Sequence, residues 1–179
     1  SKIAEMLAVK VSGIEFSQAD ERRLESTMHV TVQLKGLDGT ARSSAATAAS
    51  SRTGSTFVWN EELSLWLSPD AASVMSSLVF EIRAGMPGTT PAGAVVATAN
   101  LPWEYVSSSA AEKGVALKPN LTIVAPVARG GRLFGRLQYA NAQTAATRLA
   151  QLREALDEAT AATAAQSTAL TTAVSEAGP

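Results

Sequence analysis

The 179-residue chain has no cysteine. That excludes disulfides, thiolate metal sites and a cysteine nucleophile. It has one histidine, His29, so any serine–histidine chemistry hangs on that residue alone. Aromatics make up 5% of the chain, too few to interleave with basic residues as nucleic-acid recognition requires. No apolar run approaches the roughly 18 residues needed to span a bilayer. No targeting segment is visible, and the cysteine-free composition fits a reducing, cytoplasmic setting. Charge of one sign is lacking as well. The net charge is −1, with thirteen basic and twelve acidic residues in 1–140 and two and four in 141–179. Neither part carries a global pull toward nucleic acid.

What is there alternates. Leu63, Leu65 and Leu67 point one way, Ser64 and Trp66 the other, which marks a strand with one buried face. A polar knuckle, Trp59-Asn60-Glu61-Glu62, opens it. Met6–Val11 predicts a first strand, with Leu7, Val9 and Val11 inside. Ser12–Ser26 reads as a polar connection. Met28–Leu34 predicts a strand with Met28, Val30, Val32 and Leu34 inside and His29, Thr31 and Gln33 outside. Gly36–Gly39 is a turn. Ala41–Ser55 is small and polar and reads as a loop or weak edge strand. Ser68-Pro69-Asp70 stops the central strand, with a short helical turn expected at Ala71–Met75.

Ser77–Ala84 predicts a strand with Leu78, Phe80 and Ile82 inside. Gly85–Gly93 is a Gly/Pro loop. Ala94–Leu101, Val115–Leu117, Leu121–Val124 and Gly131–Tyr139 complete the set, with Ser107–Gly114 a polar turn. In the last strand Leu133, Leu137 and Tyr139 share a face. Trp66, Val79 and Val96 are expected on outward faces. About eight short strands with frequent turns argue a mainly β, eight-stranded antiparallel sandwich.

The Trp-Asn-Glu knuckle opening a central strand resembles C2 domains over roughly residues 4–140. The strands Ser77–Ala84, Ala94–Leu101 and Gly131–Tyr139 are similar to later C2 strands. The proline that usually precedes the knuckle is missing, with Phe57 near its place. An immunoglobulin-like sandwich is the competing architecture. The C2 resemblance raises the question of calcium, which needs several hard oxygen ligands in the loops at one end. Gly85–Gly93 has no Asp or Glu, and Asp20-Glu21 are adjacent and point apart. The expectation is a calcium-independent domain with no cofactor and no catalytic residues. Surface contacts to a partner or to anionic lipid fall to Trp66, Lys10, Lys35, Arg83, Arg132 and Arg136, with Arg42 and Arg52 also basic candidates.

From Asn141 the period changes. Ala142, Ala145, Leu149, Leu152, Leu156, Ala159, Thr163, Gln166, Leu170 and Ala173 are spaced alternately three and four apart. This heptad seam, among strong helix formers, predicts a long C-terminal α-helix. About 35 residues would give about 50 Å at 1.5 Å per residue. Thr163 and Gln166 place polar atoms in the seam, which weakens it. The expected domains are a sandwich over 1–140 and a coiled-coil helix over 141–177, with a homo-oligomer formed through the helix. Alternatives are a helix folded back on the sandwich, or a frayed tail. The pairing of a C2-like domain with a coiled coil resembles scaffold proteins of the centriole, basal body or flagellar cytoskeleton. It implies other cytoskeletal proteins as partners, with an anionic membrane as the alternative.

Overall fold

The computed structural model describes residues 5–67, 75–109, 114–141, 150 and 153–168. The chain divides into two compact units, Ser1–Asn141 and Ala142–Pro179.

Among the described residues the first unit is an antiparallel sandwich of ten strands and one short helix. In chain order these are β1 (Glu5–Ser17), β2 (Thr27–Gly36), β3 (Ala41–Ala46), β4 (Ser50–Ser51), β5 (Thr56–Leu67), β6 (Met75–Ala84), β7 (Val95–Pro102), α1 (Trp103–Ser109), β8 (Val115–Leu117), β9 (Thr122–Ile123) and β10 (Gly130–Asn141). One sheet runs β5-β1-β10-β8 and the other β3-β2-β6-β7-β9, with β4 paired to β2. The eight expected strands become ten because the small-residue stretch Ala41–Ser55 forms β3 and β4. Thr47 anchors that stretch. Its buried hydroxyl accepts from the Val30 amide at 3.0 Å and donates to the Ala48 carbonyl at 2.9 Å.

The core is the alternating face of each long strand. Leu7, Val9, Val11, Val30, Val32, Leu34, Phe57, Leu65, Leu78, Phe80, Ile82, Leu133 and Leu137 are buried between the sheets. Each such side chain contributes roughly 1.5–3 kcal/mol by leaving water. The aromatics stack through the middle: Phe57 lies 6.0 Å from Trp59, and Phe16 meets Phe57 edge-on at 6.3 Å.

Several sequence expectations are corrected. Ser12–Ser26 is not wholly a connection, because β1 runs on to Ser17. A bulge between Val11 and Gly13 shifts the alternation by one residue, so Ile14 and Phe16 are the next large side chains to be buried. The phase change is what hid this half of the strand. Opposite it, Asn60 has φ +49°, a left-handed conformation that asparagine tolerates better than most residues. Val96 is 3% exposed, not outward. It is the extra residue at a bulge where Ile82 pairs with Ala97 and Arg83 with Val95. Its carbonyl accepts from the Val124 and Ala125 amides.

Val79 is half-buried, and Met75 begins β6 rather than ending a helical turn. The first part of the expected Ser107–Gly114 turn belongs to α1, which buries Trp103 and Val106 one turn apart. β9 is shorter than the expected Leu121–Val124 strand. The expected cap and turn at 68–74 and the Tyr139 side chain lie outside the described residues.

In the second unit residues 153–168 form a helix, α2, and every one of them is exposed. Thr160 and Thr163 turn their hydroxyls back to the carbonyls of Leu156 and Ala159, at 2.9 Å each. That satisfies both hydroxyls along the helix itself. The described helix is sixteen residues, shorter than the 35 expected. Ala142, Ala145, Leu149, Leu152, Leu170 and Ala173 of the seam lie outside the described residues.

Candidate interaction surfaces

Three surfaces carry the residues singled out by the sequence. The first is the end of the sandwich where β1 leads to β2, β4 to β5, β6 to β7 and β9 to β10. Backbone bonds tie these loops together: Asp20 N–H to Val127 O, Arg129 N–H to Ser17 O, Arg52 N–H to Ser26 O, and Gly85 N–H to Thr27 O. The loop after β6 is held at both ends by side chains. His29 is 4% exposed, and its Nδ1 lies 2.8 Å from the Gly85 carbonyl oxygen. The expectation that His29 points outward into solvent is therefore corrected. The alternation did place it off the inner face, but the chain leaving β6 covers it. At the other end of the loop the Arg83 guanidinium donates to Gly93 O at 2.9 Å. Two further Arg83 nitrogens donate to Glu81 Oε2, at 3.0 and 2.6 Å. Arg83 is thus a loop clamp with its charge already paired. Met86, 59% exposed, sits in the loop between the two clamps.

The carboxylates at this end do not fit a calcium ion. Six to eight oxygens are needed. Asp20, Glu21 and Glu25 all come from the one loop after β1, and Asp20 Oδ1 accepts from the Arg22 amide. Glu21 lies 4.0 Å from Arg52. Residues 52–55 and 85–94 supply no carboxylate. Among the described residues no group of three or more His, Cys, Asp or Glu comes together.

The second surface is the outer face of the β5-β1-β10-β8 sheet. Lys10 stands between Glu62 on β5 and Arg136 on β10. With Ala8 and Gln138 these residues line a dimple of roughly 160 Å³. Further along, Arg132 pairs in register with Glu15, and the two help line a hollow of roughly 370 Å³ with Asn120 and Phe134. Near the other end of the sheet, Trp66 lies opposite Met6 and is 55% exposed. Lys35 and Arg83 belong to the other sheet. The six residues proposed from sequence therefore divide between two faces. Lys10 and Arg136 are the pair the register brings side by side. Arg42 is bound to Asp38 at 3.0 Å. In that β2–β3 turn the Thr40 hydroxyl and amide both donate to Asp38, at 2.7 and 3.1 Å. These bonds hold the Asp38 carboxyl below its ordinary pKa, with Arg42 adding to the effect.

Sequence reasoning missed the Glu61 carboxylate, which accepts from the Ala48 amide at 2.8 Å and fastens the β3–β4 link to β5. Nothing in the local pattern separates it from its neighbour Glu62. The third surface is α2, whose described seam members Leu156, Ala159, Thr163 and Gln166 are all exposed, Leu156 by 66%. No described helix is long and apolar enough to cross a membrane.

The two-sheet order and the loop end invite comparison with solved structures. A C2 domain of plant extended synaptotagmin 1 superposes with a TM-score of 0.56 at 16% identity, over 79% of this chain and 97% of that one. A C2 domain-containing protein from a putative elicitor-responsive gene gives 0.51 at 17% identity, over 77% and 90%. The sandwich has the C2 fold. A larger extended synaptotagmin 2 structure, with an SMP domain and two C2 domains, gives 0.54 at 10% identity, over 79% of this chain and 28% of that one. No protein-family profile and no curated sequence matches the chain. At such identities the likeness carries the fold alone.

Proposed function

We propose that the chain is a non-enzymatic scaffold module, a C2-fold sandwich that binds protein partners and self-associates through a parallel coiled coil built on α2. The observation that carries this reading is the exposed seam of α2. A sixteen-residue helix with every residue in water gains too little from its backbone to persist alone. Leu156 on that helix gives up its hydrophobic contribution unless something covers it. The heptad spacing on both sides of the described segment favours a second copy as the cover. The clamped loop after β6, which has no Asp or Glu, supports calcium-independent binding. A cytoplasmic, cytoskeletal setting in the centriole, basal body or flagellum rests on the resemblance of the domain pairing.

Sedimentation equilibrium of the full chain beside Leu156→Asp tests the proposal. A buried seam leucine implies at least about tenfold weaker association in the variant. An unchanged mass distribution would overturn the coiled-coil reading. An anionic membrane is the alternative partner, and it rests on the adjacency of Lys10 and Arg136. Pelleting with phosphatidylserine vesicles that is lost in high salt would favour it.

A further inference from the structure

β5 is the terminal strand of its sheet. Its first half is covered: Ala48 N–H reaches Glu61, and the Ser50 hydroxyl donates to the Val58 carbonyl at 2.7 Å. Its second half, Glu62-Leu63-Ser64-Leu65-Trp66-Leu67, pairs with β1 on one side and with no described strand on the other. Natural edge strands are blunted by charged side chains, above all lysine, and by proline, bulges or shortness. This half carries one charge, Glu62, and no lysine or proline. It is regular in register with β1 from Glu5↔Leu67 to Val11↔Glu61.

We infer that this half-strand pairs with the same half-strand of a second copy, antiparallel, about a two-fold axis at Ser64. The sequence is self-complementary in that register. Leu63 meets Leu65 of the partner chain on the inner side, and Ser64 meets its own copy on the outer side. Glu62 faces Trp66 of the partner chain. Trp66 is 55% exposed, and Glu62 is exposed beside Lys10 of β1. The two-fold brings Trp66 and Glu62 together twice, as indole N–H donating to carboxylate, a charge-assisted bond. It sets no charge against a like charge, since Glu61 falls opposite Leu67. A two-fold at Leu65 would instead set Trp66 against Ser64 and leave Glu62 unmatched. The pairing joins two four-stranded sheets into one and puts Trp66, 55% exposed, into contact. It does not depend on α2.

The absence of cysteine makes the test clean. Residues facing each other across an antiparallel two-fold have Cα atoms about 4.5–5.5 Å apart, inside the disulfide range. Ser64→Cys, at an exposed position, is oxidised mildly in the 179-residue chain at micromolar concentration, beside Asn100→Cys on the outer face of the other sheet. The expected result is a disulfide-linked dimer for Ser64→Cys, at least tenfold in excess over Asn100→Cys. Equal cross-linking of the two overturns the proposal. In a second arm, Ser64→Lys sets two ammonium groups at the axis and weakens self-association at least tenfold in sedimentation. If Ser64→Lys associates as the parent does, the edge is not the contact and the proposal falls. Adding Leu156→Asp to Ser64→Cys leaves the cross-link in place. That separates failure of the edge from failure of the helix. Loss of the cross-link in this double variant would show the contact to be a by-product of helix assembly, and would also overturn the proposal.

Discussion

The indole N–H of Trp59 on β5 donates to the carbonyl oxygen of Met28 on β2 at 3.3 Å, so one side chain joins the two sheets of the sandwich. Its ring is stacked on Phe57 at the same time. The Trp-Asn-Glu knuckle thus has two structural duties. Trp59 bridges the sheets through the core, and Glu61 fastens the β3–β4 link from outside.

Trp59→Phe keeps the stacking and loses the hydrogen bond, so the expected cost is about 1 kcal/mol. Trp59→Ala also opens a cavity, at roughly 3–5 kcal/mol. Urea unfolding of both variants measures the difference. Equal costs would mean that the bond to Met28, and not the ring, carries the stabilisation.

His29→Ala leaves the Gly85 carbonyl without its side-chain donor. The expected loss is roughly 1–3 kcal/mol, concentrated at the clamp. Hydrogen exchange by mass spectrometry should show faster exchange in peptides covering Gly85–Gly93, with the β1–β10 pairing unchanged. Protection of that loop at the parent level would show that Arg83 alone secures it.

The β2–β3 turn responds to acid in a defined direction. The folded pKa of Asp38 is held down by the Thr40 hydroxyl and amide. Its contribution to the turn is therefore complete above the ordinary carboxylate value and is lost as pH falls through the lower, folded value. In an NMR pH titration the Thr40 amide proton should move with a midpoint below that of an unstructured aspartate peptide. The movement should vanish in Asp38→Asn. A midpoint at or above the peptide value would contradict the hydrogen-bonded turn.

Calcium should leave thermal stability unchanged. A site with a dissociation constant of 10 μM would add about 2.7 kcal/mol at 1 mM ion, enough to raise Tm by several degrees. The carboxylates at the loop end all come from the one loop after β1, which is the physical ground for expecting no shift. A rise of about 5 °C or more on adding 1 mM calcium chloride, reversed by chelator, would place a site where the donor set does not suggest one.

The sequence by itself determined the sandwich. Period-2 runs such as Met28–Leu34 and Leu63–Leu67 can bury one face only as strands, and all their inward residues are buried. The rest depended on tertiary structure, because pairing between strands decides it. The bulge after Val11 is set by what β5 and β10 present to β1, and it hid Ile14 and Phe16 from a single-period reading. The bulge at Val96 is likewise a matter of register with β6. His29 sits at an outward position of its strand, yet the chain returning through Gly85 covers it, a contact 56 residues away in sequence. The basic residues look like one population in the sequence. Register separates Lys10 and Arg136 from Lys35 and Arg83, because a strand's face and its neighbours are fixed only once the sheets have formed.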